Sequence, residues 1–262
     1  MHAILINSMS HRYIFTDQRS IQVRNSVRDA TVNIETLKEA VENSNKIIAS
    51  ISEFEVDIFS ILGMRNLSAF MGELFAKSLI AVSDNTLVGN PHQDGYPDIL
   101  VLDEVGKKAY DALSDKMRDK LPFSPFVSGG VEVKATCGSV PSPAVLQKKG
   151  LSKPGMGEQR INLLTGYDWK AHHRETNNLL AILWDFVDGK PIICAVFYSP
   201  TITENDWGNI VQPKVGGGRT TSVSIMNRKG IKNLYEGWIC VLDNDKYINF
   251  LNKYNGSNLV HR

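Results

Sequence analysis

Three apolar runs decide most of what this chain can fold into: Ile99-Leu100-Val101-Leu102, Leu179 to Val187, and Ile192 to Tyr198. The first is short, continuous and preceded by the turn signals Asn90-Pro91 and Asp94-Gly95, as in a strand covered on both faces. The other two are separated only by Asp188-Gly189-Lys190-Pro191 and read as a hairpin. A chain of 262 residues, 42% of them hydrophobic, can bury a sizeable core around such strands, so disorder is not the default.

Upstream, the pattern changes to that of helices. Val27, Ile34, Leu37, Val41 and Ile48 recur at spacings compatible with a helical face, and the stretch to Leu62 is expected to be largely helical. After Gly63, Leu67, Phe70, Met71, Leu74 and Phe75 define one buried stripe, with Glu73 off it. Glu73 is therefore either a solvated residue or a carboxylate aimed at a cleft. Residues 106–121 have a helical or insert-like pattern, ended by Pro122, Pro125 and Ser128-Gly129-Gly130. No internal repeat or low-complexity tract divides the chain. It is expected to form one domain, with a helical region over 1–62, a core over 63–200 and a packing region over 201–262.

The segment Gly130-Val131-Glu132-Val133-Lys134 carries the chemistry. In an extended strand, Val131 and Val133 face one side while Glu132 and Lys134 share the other. Buried carboxylates and ammoniums stay charged only when paired or coordinated. If the strand that opens at Asp98 lies alongside, two carboxylates and one ammonium converge, and oxygen ligands of this kind suit a hard divalent cation such as Mg2+. Such a cation polarises a scissile phosphate and lowers the pKa of a bound water, while Lys134 orients or deprotonates that water and offsets developing negative charge. Glu-x-Lys alone is explained as well by an ion pair on an edge strand, and Pro97-Asp98 alone by a turn. The combination favours the catalytic reading.

With Pro97-Asp98, Glu132-Val133-Lys134 and Glu73 in the preceding helix, the sequence resembles the PD-(D/E)xK nuclease superfamily, and type II restriction endonucleases most of all. The resemblance extends over Arg65 to Glu73 and Asn90 to Asp98. It implies an α/β fold with a mixed central β-sheet flanked by helices, a restriction-endonuclease-like core. It also implies Asp98 and Glu132 as metal ligands, Lys134 and Glu73 as further catalytic residues, double-stranded DNA as substrate, products with 5′-phosphate, and commonly a homodimer. The separation of Asp98 from Glu132 exceeds that in compact members, which requires residues 106–128 to be an insertion between strands.

Net charge is only +1, but it is uneven: residues 128–232 carry 13 Lys+Arg against 8 Asp+Glu, and residues 1–100 carry 8 against 12. The basic half thus holds the Glu-Val-Lys segment and suits a polyanion. Arg160 with Tyr167, Trp169, Lys170, His172, His173 and Arg174 could line a DNA cleft, or form an amphipathic helix with Trp169 in the core. His172-His173 does not read as a zinc pair, since adjacent side chains diverge and no third ligand accompanies them. Lys214 and Gly216-Gly217-Gly218-Arg219-Thr220-Thr221-Ser222 suit a loop contacting phosphate or guanine, or a surface turn; the phosphate-loop pattern with its lysine is absent. Serine-hydrolase, zinc-protease and dinucleotide motifs are absent too.

Cys137, Cys194 and Cys240 are odd in number and widely spaced, which disfavours a disulfide framework. With no signal-peptide order at the N-terminus and no apolar run approaching a membrane span, the expectation is a cytoplasmic protein without membrane contact. Two alternatives stay open: a repair or junction-processing nuclease on the same core, and an inactive DNA-binding protein.

Overall fold

The computed structural model describes residues 11–25, 29–92, 95–170, 178–213, 222–255 and 259–260. The chain opens with three short strands, β1 (Tyr13–Phe15), β2 (Ser20–Val23) and β3 (Ala30–Asn33), before α1 (Ile34–Ile51) and α2 (Ile58–Ala81). The expected helix to Leu62 therefore begins later than its spacing suggests. Ile21, Val23, Ala30 and Val32 are buried at every second position of an antiparallel hairpin, a period of two that precedes the helical one. Asn33 then starts α1 by accepting the Glu35 amide on its side chain, and Asp57 does the same for Ser60 at the start of α2. Gly63, at φ 66°, breaks the α2 rod where the sequence signals a new segment.

Next come β4 (Leu87–Gly89), β5 (Ile99–Val101), α3 (Glu104–Asp111), β6 (Gly130–Thr136), α4 (Pro143–Lys148) and β7 (Asp168–Lys170). The predicted hairpin is β8 (Leu179–Val187) with β9 (Lys190–Ser199), joined by Asp188 and Gly189, both at positive φ, as a two-residue turn requires. The chain continues through β10 (Trp207–Val211), β11 (Val223–Met226), α5 (Arg228–Glu236), β12 (Trp238–Leu242) and α6 (Asp245–Asn255).

Seven strands form one mixed sheet in the order β1-β12-β9-β8-β6-β5-β4, in which β6 and β8 run parallel and every other pair antiparallel. The fold is thus α/β around a mixed central sheet, and β1 and β12 bring the first and last parts of the chain together at one edge. One face packs on α1, α2 and the β2-β3 hairpin through Leu37, Val41, Leu67, Met71 and Phe75. The other face packs through Leu179, Ala181 and Leu183 on Trp207, Met226 and Ile231, so that the small sheet β10-β11-β7 and α5 cover it. Among the described residues, no helix is long and apolar enough to cross a membrane.

Asp185 of β8 staples this second layer to the sheet. Its buried carboxylate accepts the amides of Arg160 (2.8 Å), Ile161 (2.9 Å) and Phe186 (2.8 Å) and the hydroxyl of Tyr247 (3.2 Å) from α6. Burial raises its carboxyl above the usual carboxylate range, against the pull of those donors. Asp185→Ala would leave several buried donors unpaired and is expected to destabilise the fold by about 3 kcal/mol. Urea unfolding with an unchanged slope and a lower midpoint is the check; a loss under ~1 kcal/mol would show that the staple is dispensable.

Candidate active site

Strands β5 and β6 bring the three predicted residues together. Ile99 lies opposite Val131 and Leu100 opposite Gly130, so Asp98, just before β5, arrives level with Glu132. Strand alternation places Val131 and Val133 in the layer under α1 and α2, and Glu132 and Lys134 on the opposite face. There, Lys134 Nζ stands 2.6 Å from Glu132 Oε1 and 3.2 Å from Asp98 Oδ2. One ammonium thus bridges two carboxylates. Asp98 Oδ2 also accepts the Val133 amide (2.8 Å), taking the place a backbone carbonyl would fill if β5 continued. Glu132 donates its own amide to Asn178 O on the β8 side. In a strand, the N–H and C=O of one residue point the same way, so the Val133 carbonyl shares the Asp98 side.

The three groups differ in exposure. The Glu132 side chain is 6% exposed, that of Lys134 17% and that of Asp98 31%. Burial raises the Asp98 carboxyl above its ordinary value; the Lys134 and Val133 donors oppose that shift, and the Glu132 charge adds to it. Burial alone would lower the Lys134 pKa, yet the two carboxylates outweigh it and hold the ammonium above its ordinary value. Lys134 is therefore a firmly protonated donor in this arrangement.

Two walls flank the cluster on its own face of the sheet. On one side, Leu100 and Gly130, the next residues along each strand on that face, lie under the insert that contains α3. Leu100 packs with Phe123 and Phe126 of that insert, whose rings stack at 6.3 Å. On the other side, Glu132 and Lys134 pair with Leu179 and Ala181, which pack under the small sheet. Gly130 lets β5 approach closely: a Cβ there would meet the Ile99 carbonyl and the Pro97 ring. On the far face, α2 passes close to Ala135 at Gly72 and to Gly89 of β4 at Lys77, and β5 lies between those strands. Glu73 is exposed on α2 on this far face, so the structure does not bring it to Asp98, Glu132 and Lys134.

The expected DNA-contacting residues fare differently. Arg160 is buried at 6% exposure, because Asp185 captures its amide and draws it under the second layer; it does not stand on an open DNA face. Lys170 is in β7, with its side chain outside the description, and His172, His173, Arg174, Lys214, Arg219, Thr220 and Thr221 lie outside the described residues. Sequence reasoning missed Asn90, which it took as a turn residue. Its side chain bonds both the Pro97-Asp98 turn and the insert.

Among the described residues, no three His, Cys, Asp or Glu side chains gather as a metal-ligand group. The oxygen donors at the cluster are the carboxylates of Asp98 and Glu132 and the Val133 carbonyl. One or two carboxylates, completed by water and phosphate oxygens, are the donor set that Mg2+ accepts, so these residues fit that ion. Comparisons with models of protein families, with curated proteins and with solved structures give no match for this chain.

Proposed function

We propose that the protein is a magnesium-dependent, sequence-specific endonuclease that hydrolyses phosphodiester bonds of double-stranded DNA, as a type II restriction enzyme does. The observation that carries this reading is the Lys134 ammonium between Glu132 and Asp98, at the point where β5 gives way to a side-chain hydrogen bond. An ordinary surface ion pair needs neither a 6% exposed glutamate nor a second carboxylate on the same ammonium. The β4-β5-β6 meander followed by parallel β8 agrees with a restriction-endonuclease-like core, with residues 106–128 as its insertion.

In this reading, Asp98 and Glu132, with the Val133 carbonyl on the Asp98 side, would hold Mg2+. When bound, the ion supplies Lewis-acid polarisation of the phosphate and a more acidic water. Lys134, held protonated, orients the attacking water and balances the charge that builds on the phosphoryl oxygens. Water oxygen bonds to phosphorus as the P–O3′ bond breaks; the proton that the water gives up is balanced by the one that the departing O3′ takes, leaving a 3′-hydroxyl and a 5′-phosphate. Glu73, expected as a further catalytic carboxylate, is exposed on α2, across the sheet from Glu132 and Lys134, so it is given no role at this centre. Lys170, His172, His173, Arg174, Lys214, Arg219, Thr220 and Thr221 are assigned to DNA contact. A cytoplasmic homodimer completes the reading, since a two-fold protein matches a palindromic duplex.

The test is to incubate the protein with long natural DNA and Mg2+ and to sequence the fragment ends. Discrete fragments that end at one short sequence are expected. Nicking confined to branched or damaged DNA would favour a repair or junction enzyme. Binding without any cleavage in Mg2+ or Mn2+ would favour an inactive DNA-binding protein.

A further inference from the structure

The turn that delivers Asp98 is held from outside the β5-β6 ladder, which ends where Ile99 meets Val131. The Asn90 amide donates to Asp98 O (2.9 Å), one residue beyond β4. Asn90 Nδ2 donates to Pro97 O (3.0 Å) and to Phe123 O (2.9 Å), while Asn90 Oδ1 accepts the His92 amide (3.0 Å). One side chain thus ties the residue before Asp98 to the insert and to its own loop. A second tie runs from the Tyr96 amide to Ser124 Oγ (3.1 Å). The insert is itself anchored by Phe123 and Phe126 against Leu100, so the brace rests on a packed wall. A Cβ at Gly95 would run into the Asn90 amide, which shows how closely the loop wraps it.

We propose that Asn90 is the positioning residue of this site: its carboxamide, bridging the Pro97 and Phe123 carbonyls, sets the Asp98 carboxylate where it meets the Val133 amide and Lys134. The consequence for catalysis rests on the nuclease reading; the positioning itself does not. Asparagine is the residue type this place requires, because two donors and one acceptor are all used. Aspartate has the same shape and keeps an oxygen for the His92 amide, yet it has no N–H and would set a charge against two carbonyl oxygens. Asn90→Asp therefore separates hydrogen bonding from space filling.

The experiment is amide hydrogen exchange on the metal-free protein, read at two neighbouring residues. The Val133 amide is bonded to Asp98 and the Glu132 amide to Asn178 O. In Asn90→Asp, Val133 is expected to exchange about tenfold faster, the scale of one lost hydrogen bond, while Glu132 keeps its rate. Ser124→Ala, which removes only the Tyr96 tie, is expected to move Val133 in the same direction by about threefold, and serves if the first variant does not fold. Calorimetry with Mn2+ should show about tenfold weaker binding in Asn90→Asp, with affinity for duplex DNA in metal-free buffer within about twofold of wild type. For cleavage, kcat should fall at constant KM. Unchanged Val133 exchange in both variants overturns the proposal, and so does equal acceleration at Val133 and Glu132, which means general loosening. A wild-type protein that cuts no DNA while Val133 responds as described leaves the positioning intact and removes the nuclease reading alone.

Discussion

Lys134→Met is expected to lower DNA cleavage by about a thousandfold, with duplex binding in metal-free buffer within about threefold of wild type. Among the described residues, the side chain supplies the one ammonium seen to touch both carboxylates. Without it, Glu132 and Asp98 lose the cation that they share in a partly buried place. The variant should therefore also lose stability, by about 1–3 kcal/mol at pH 8, less than for a fully buried pair because Asp98 is partly exposed. The pH dependence has a definite sign. Protonating one carboxyl relieves the repulsion, so the deficit relative to wild type shrinks as pH falls toward the carboxylate range. Single-turnover cleavage and urea unfolding at several pH values check both parts. Cleavage within tenfold of wild type would reduce Lys134 to a surface ion-pair partner.

Asp98→Asn and Glu132→Gln are each expected to weaken Mn2+ binding by at least about tenfold and to reduce cleavage by about a thousandfold. The Asp98 variant should alter the acid side of metal binding. Burial raises the Asp98 carboxyl above its ordinary value, and a cation needs the carboxylate, so wild-type affinity should begin to fall at a pH above the usual aspartate range. In the metal-free protein, the linkage runs the other way. A carboxyl whose folded pKa is raised contributes most at low pH and loses that contribution as pH rises through its folded pKa. Asp98→Asn should thus leave metal-free stability at neutral pH equal to wild type or higher, a trade of stability for function. Calorimetry from pH 5 to pH 8 together with thermal unfolding decides it. Unchanged metal affinity in both variants would show that neither carboxylate is a ligand.

The parts of the site that were legible in the sequence are those set by local periodicity. Alternation along Gly130-Val131-Glu132-Val133-Lys134 put two charges on one face, and the Asp188-Gly189 turn fixed the β8-β9 hairpin; the structure has both. Strands β1 to β3 were obscured because three or four residues make a weak period-two signal, and the stronger helical spacing of Ile34, Leu37, Val41 and Ile48 extends backward over Val27. Arg160 was misplaced for a non-local reason, since its burial depends on Asp185, 25 residues later. Asn90 was hidden differently. A turn asparagine looks the same in sequence whether its amide bonds its own loop or, as here, a carbonyl 33 residues away.

Where β6 passes the Ile99 carbonyl of β5, it has no side chain. Sliding β6 by one residue so that Val131 replaces Gly130 would set a side chain against the Ile99 carbonyl, and a slide in either direction would turn Glu132 and Lys134 to the opposite face. Either alternative alignment would take Val131 and Val133 out of the helix-covered layer. Gly130, a position with no functional group, thus helps to set the spacing between the two acids, as a keyway that this alignment of the strands fits.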